Sequence, residues 1–411
     1  MKIPIKHKII YYTILIIFSP IWLLSYRQIG FIGRFLGTIA YILARKHRKR
    51  ALNNIAIAKI ANSEKEMHRI AKESFQNLAI TCMEFFRMMR SKDHLEEIIV
   101  SENPEILKEI TSQKKGFVIL SGHQANWEML FWDLSSRHHG SAIGRPLRNK
   151  KLYQWILSMR EILGGNIVEP KKTISQGIKE LRDCNFIGIV GDQGLPESSY
   201  SYPLFGTRAW TSPSPALLAY RTACPIVVAT TRRIKNKCHI HYSDPIWPNT
   251  SKPLREEIVS LMDKATKIFE DSVREHPGQW LWQHRRWKQQ LINNVRKEYR
   301  HDFILVVLDT PSDNINILKD IYPRGFFYVM IPEECRQGID IPDAKIITYR
   351  NKQEILVRDW RFQFVIDFTN TQEIRRHFLK LGAFSVINAS PSTDFYKKLL
   401  RPGLRFNSSD I

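Results

Sequence analysis

The chain has 411 residues, 43% of them hydrophobic, with five cysteines and a formal net charge of +22. That length and apolar content exclude a disordered chain or a small disulfide-stapled domain, and leave room for two domains or one large domain with an appendage. The charge is uneven: residues 1–50 hold ten Lys/Arg and no acid, whereas residues 303–411 carry 15 Lys/Arg against 13 Asp/Glu.

The first fifty residues are also apolar. Residues 9–24 (IIYYTILIIFSPIWLL) form a 16-residue run interrupted by Pro20, and residues 29–44 form a second stretch carrying only Arg34. The first run is short for a spanning helix, and proline weakens it further. Lys2, Lys6 and Lys8 precede it, Arg27 follows it, and five basic residues from Arg45 to Arg50 follow the second stretch. Basic residues on every flank argue against one clean crossing. They predict a membrane anchor over residues 1–50, shallow or interfacial, on an anionic cytoplasmic leaflet. A cleaved leader is the rival reading, but Ser25-Tyr26-Arg27-Gln28 stands where a small-x-small cleavage site belongs. Charge concentrated beside an apolar segment points to membrane and not to nucleic acid. The scattered cysteines Cys82, Cys184, Cys224, Cys238 and Cys335 offer no metal-ligand spacing.

Farther along, residues 64–90 show helical periodicity. From Gly116 the pattern alternates strands and helices through about residue 274, which predicts a layered α/β domain with a mixed sheet over residues 51–288. The polar stretch 289–302 reads as a linker, and residues 303–411 read as a small α/β appendage of unknown role. Asp309 and Asp367 close strands of that appendage and read as turn formers.

The chemistry concentrates at strand ends of the main domain. Residues 116–120 (GFVIL) read as a buried strand broken by Ser121-Gly122, with His123 and Glu128 following. On one helix, five residues of separation rotate two side chains by roughly 140°. His123 and Glu128 can therefore meet only if the histidine occupies the turn and the glutamate the first helical turn after it. An imidazole held by a carboxylate is a general-base arrangement. Arg145 and Arg148 follow a second strand; a guanidinium fork there suits a phosphate or an oxyanion. Asp192 sits in a Gly-flanked turn after the strand at 186–190, and Asn126 stands between the His and Glu as a packing or capping residue.

Taken together, SGHQANWE (121–128), GRPLRN (144–149), GDQG (191–194), FGTRAWTSPSPALLAYRTACPIV (205–227) and PGQWLWQHRRWK (277–288) resemble the late, secondary acyltransferases of lipid A biosynthesis, within the lysophospholipid acyltransferase superfamily. The resemblance covers about residues 10–290. It implies transfer of a fatty acyl group from acyl carrier protein to a hydroxyl of a phosphorylated glucosamine-based lipid A precursor at the cytoplasmic face of the inner membrane, with no cofactor, metal or nucleic acid. Carried over by position, His123 would be the general base and Glu128 would fix its tautomer. Arg145 would lie near the oxyanion or lipid phosphate, with Asn126, Asp192 and Arg148 shaping the substrate site. Ser212-Pro213-Ser214-Pro215 departs from the smaller residues usual there, and residues 303–411 fall outside the resemblance. Acylation of a lysophospholipid or another glycolipid, and a non-catalytic lipid-binding scaffold, are the alternatives.

Overall fold

The computed structural model describes residues 3–311, 316–338, 343–389 and 393–401. Four helices come first: α1 (Ile5–Phe18), α2 (Tyr26–Leu43), α3 (Arg45–Ala58) and α4 (Glu64–Met88). An α/β run follows, with β1 (Ile99–Ser101), α5 (Glu105–Ser112), β2 (Phe117–Ser121), α6 (Trp127–Arg137), β3 (Gly140–Ile143), α7 (Lys150–Arg160), β4 (Asn166–Val168), α8 (Thr173–Arg182) and β5 (Phe186–Val190). Next are the hairpin strands β6 (Tyr200–Leu204) and β7 (Thr207–Thr211), then α9 (Ser214–Thr222), β8 (Ile226–Ile234), β9 (Lys237–Tyr242) and α10 (Leu254–Glu275). The last elements among the described residues are β10 (Phe303–Val307), α11 (Ile317–Ile321), β11 (Phe326–Pro332), β12 (Lys345–Tyr349), β13 (Phe364–Asp367), α12 (Gln372–Lys380), β14 (Ser385–Asn388) and α13 (Thr393–Leu399).

Two compact units emerge. The first combines residues 1–43, 69–193 and 211–281; the second combines residues 44–68, 194–210 and 282–411. This division is not the serial one expected from sequence, because α3 and the β6–β7 segment join the C-terminal residues.

The first unit is built on a seven-stranded sheet in the order β1-β9-β8-β2-β5-β3-β4. Every pairing is parallel except β8 with β9, so the mixed sheet is as expected. Strand β2 is buried at all five positions, which is why its sequence is a continuous apolar run and not an alternating one. Its Phe117 shares a core with Phe131, Trp132 and Phe186, which fixes the sheet against α6.

The N-terminal helices bear on the anchor expected there. Among the described residues no helix is long and apolar enough to cross a membrane. Helix α1 stops after 14 residues, and Ser19-Pro20 open a short 3-10 turn. Helix α2 packs its Gly33 and Gly37 edge onto α4; a Cβ on Gly37 would lie 2.3 Å from the Gln76 Cα. Its other face leaves Phe31, Phe35, Leu36, Ile39, Ile42 and Leu43 exposed.

The second unit holds a five-stranded parallel sheet, β12-β11-β10-β13-β14. Helix α3 belongs to its framework: Lys49 donates to the Leu379 and Ala383 carbonyls, at 2.5 and 2.7 Å, and Asn53 donates to those of Trp360 and Gly382. Asn54 donates to the carbonyls of Trp282 and His284. Arg50 is buried over the Phe384 ring. Part of the basic run at 45–50 is therefore interior, whereas the sequence suggested a membrane flank. Residues 289–302, expected as a polar linker, bury Gln289, Ile292 and Val295 in the same unit. Asp367 is fully buried and accepts from the backbone N–H groups of Thr369 and Thr371, the turn role expected of it.

Candidate active site

Strands β2 and β5 are parallel neighbours with Ser121 opposite Val190. Two residues beyond each strand, the chains bring His123 and Asp192 together. His123 Nδ1 lies 2.7 Å from Asp192 Oδ1, and the His123 backbone N–H donates to Asp192 Oδ2, also at 2.7 Å. The Trp280 indole N–H donates to the same Oδ2 at 2.7 Å. With Nδ1–H given to the carboxylate, the lone pair is left on Nε2, on the side of a cavity. The Gln193 amide nitrogen lies 3.4 Å from that nitrogen.

The sequence assigned this carboxylate role to Glu128. Asp192 occupies it instead, because β5 runs beside β2, a tertiary fact that spacing along the chain does not contain. Glu128 does sit in the first turn of α6, as required, yet it pairs with Arg160 at the end of α7: Arg160 Nε to Oε2 at 2.8 Å and Nη2 to Oε1 at 2.5 Å. The Trp127 indole N–H also donates to Glu128 Oε1.

Burial of His123 works against its imidazolium, but the Asp192 charge and hydrogen bond, with Glu128 in support, outweigh it, so the His123 pKa rises above 6.5. Burial would raise the Asp192 carboxyl, yet the charge of His123 and three donors hold it well below the usual carboxylate range. Burial likewise opposes the Arg160 charge, and Glu128 more than restores it.

The turn itself is rigidly built. A Cβ on Gly122 would meet the Phe269 ring at 2.1 Å, and Ala125 takes a left-handed φ of 39°. The strain at Ala125 is held by its neighbours: its N–H donates to the Gln279 carbonyl, and its own carbonyl accepts from Thr81 Oγ1 at 2.7 Å. Beneath lies a buried pair, Arg233 with Glu84, bidentate at 2.5 and 3.1 Å. Gln279 clamps the Arg233 backbone from both sides, accepting from its N–H and donating to its carbonyl.

Asn126 serves this scaffold and not the substrate. It is fully buried, its Oδ1 caps α6 by accepting from the N–H groups of Glu128 and Met129, and its Nδ2 donates to Glu84. The cap is the ordinary role for Asn before a helix.

The cavity has a volume of about 450 Å³. One part of its wall is polar, with His123, Glu128, Arg145, Arg160 and Gln193; the rest is apolar, including Phe131, Ile143, Ile156 and Val190. Arg145 is thus one of the two guanidinium groups that line the cavity. Arg148 is exposed three residues on and is not among the lining residues. Arg160, Gln193 and Trp280 went unassigned in the sequence. The signal for Arg160 was available only as a carboxylate, Glu128, in need of a cation. Among the described residues no group of three or more His, Cys, Asp or Glu has the arrangement to hold a metal ion. The set can take a proton at His123 Nε2 and oppose a developing negative charge with Arg145, beside apolar side chains on the same cavity wall.

Residues 2–289 match the family model of the bacterial lipid A biosynthesis acyltransferases. Among curated proteins, the chain is 24% identical over 278 residues to the lipid A biosynthesis lauroyltransferase of Escherichia coli (strain K12), covering 65% of this chain and 89% of that one.

Proposed function

This chain belongs to the bacterial lipid A biosynthesis acyltransferase family, and from that premise we propose how it carries out acyl transfer. The acceptor hydroxyl of a lipid A precursor binds at His123 Nε2, which takes its proton as the oxygen attacks the carbonyl of an acyl thioester. The tetrahedral oxyanion is met by Arg145. Asp192 keeps the imidazole in the productive tautomer and, with Glu128, stabilises the imidazolium. Collapse breaks the C–S bond, and the proton passes from His123 to the departing thiolate. The donor in this reading is acyl carrier protein, whose acidic surface suits a chain of charge +22.

The observation that carries the proposal is the His123–Asp192 bond, which leaves Nε2 on the cavity side. The test is mass spectrometry of lipid products made by purified wild type and His123→Ala from acyl carrier protein thioester and a lipid A precursor. Loss of product with binding to the membrane retained is expected. Wild-type turnover in the variant would refute the general base.

Placement at the cytoplasmic face of the inner membrane is part of the same proposal. It is supported by the exposed apolar rows on α1 and α2, among them Ile9, Ile16, Ile17, Phe31 and Phe35. An interfacial attachment needs no spanning helix. Co-flotation with anionic vesicles that is lost in Phe31→Ser/Phe35→Ser is the expected result, and recovery of wild type away from vesicles refutes it.

A further inference from the structure

The closing segment PGQW carries an indole whose place in the site no motif explains. Trp280 is 2% exposed, follows α10, and directs its N–H at Asp192 Oδ2 from 2.7 Å. It is fixed in that pose from several sides. Its ring meets Phe269 edge-on, the same ring that packs against Gly122. Its carbonyl accepts from Ser74, and its backbone bridges to Gln124 one residue after the base. Leu281, next in the chain, donates to the His123 carbonyl at 3.1 Å. The indole and the base are therefore held by the same stretch of backbone.

A carboxylate that receives the His123 backbone N–H and an indole N–H on one oxygen cannot rotate freely, so its other oxygen is presented to Nδ1. We propose that Trp280 is a positioning residue of the acyl-transfer site, which through its indole N–H orients Asp192 and tempers the basicity that Asp192 passes to His123. This rests on the general-base reading of His123. Each donor on an ionised carboxylate spreads its charge and weakens its pull on the imidazolium. Removing the indole donor therefore leaves His123 harder to deprotonate and its partner less well aimed. The charged groups facing His123 are Asp192 after β5, Glu128 on α6 and Arg160 on α7, with Arg145 lining the same cavity. Of these, only Asp192 is touched by the Trp280 indole N–H, so a change at Trp280 reaches His123 through Asp192.

The experiment compares wild type, Trp280→Phe and a protein carrying the benzothienyl isostere of tryptophan at 280, which keeps the bicyclic shape but has sulfur in place of N–H. Acyl transfer is measured across pH, with thermal denaturation in parallel. For both altered proteins kcat should fall about tenfold, the loss expected for one hydrogen bond to a charged group, with KM unchanged. The ascending limb of the kcat profile should move to higher pH. Trp280→Phe tests ring and donor together; should it unfold, the isostere decides. An isostere protein with the wild-type limb and wild-type kcat overturns the proposal, as does a rise in KM at constant kcat. His123→Ala run alongside separates the two ideas. Activity in that variant sinks the base, whereas an inactive His123→Ala together with an unmoved limb in the isostere protein sinks only Trp280.

Discussion

Asp192→Asn is the sharpest perturbation of the site, because the surroundings dictate which way the new amide must point. Asp192 Oδ2 accepts two donors, the His123 backbone N–H and the Trp280 indole, and neither can act as an acceptor. The oxygen of the substituted amide must take that position. Its NH2 then faces His123 Nδ1, which is 2.7 Å from the other oxygen in the wild type. Nδ1 is forced to accept, the ring proton moves to Nε2, and the base is blocked by its own tautomer. The same inversion in a serine-protease triad costs about 10⁴ in kcat, and a loss of about 10³- to 10⁴-fold, or about 4 to 5.5 kcal/mol, is expected here. The assay pairs single-turnover acyl transfer with nitrogen NMR of the histidine ring, which reports the tautomer directly. Activity within tenfold of wild type, or retention of the proton on Nδ1, would refute the reasoning.

Other consequences are equally measurable. Since the raised His123 pKa must be crossed before the base is neutral, kcat/KM should climb with pH through one ionisation lying above 6.5; a limb at or below that value contradicts the Asp192 contribution. Glu128→Gln leaves Arg160 beside a neutral partner in the cavity wall and should slow turnover about 10- to 100-fold by misplacing the wall, less than Asp192→Asn. Arg233→Met strands the buried Glu84 carboxylate beneath the His123 turn and should cost about 3 to 5 kcal/mol in denaturant unfolding; a loss under half of that removes the pair from the scaffold. Gly37→Ala drives a Cβ into the α4 backbone and should cost about 1 to 3 kcal/mol, seen as a lowered melting temperature, with the active-site pH profile unchanged.

Much of the fold was legible because it is written in local patterns. The continuous apolar run of β2, the helix beginning at Glu64 and the strands from 303 to 388 all follow from periodicity and from breakers at their ends. What was not legible depends on which strands lie side by side. His123 and Asp192 are 69 residues apart, and only the β2–β5 pairing joins them. Lacking that pairing, the nearest carboxylate in sequence, Glu128, took the role. Asn126 shows the reverse: capping and substrate contact both fit its sequence position, and burial beside Glu84 decides for the cap. The anchor expectation over residues 1–50 drew on apolar content and flanking charge, and it read the break at Pro20, where α1 gives way to a 3-10 turn; that Lys49 and Arg50 turn inward was not visible in it.

The stitching of α3 into the C-terminal residues also bears on how the chain is made. Lys49 waits for a carbonyl 330 residues downstream, and Asn53 for one 307 residues downstream. At ordinary synthesis rates Leu379 is made roughly 15 to 65 seconds after Lys49. Throughout that interval Lys49 and Asn53 of α3 lack the carbonyls of α12 and its neighbouring loops that they bond in the folded chain. The nascent protein thus waits longest for native partners at α3, and a chaperone or protease acting on ribosome-bound chains would find its opening there.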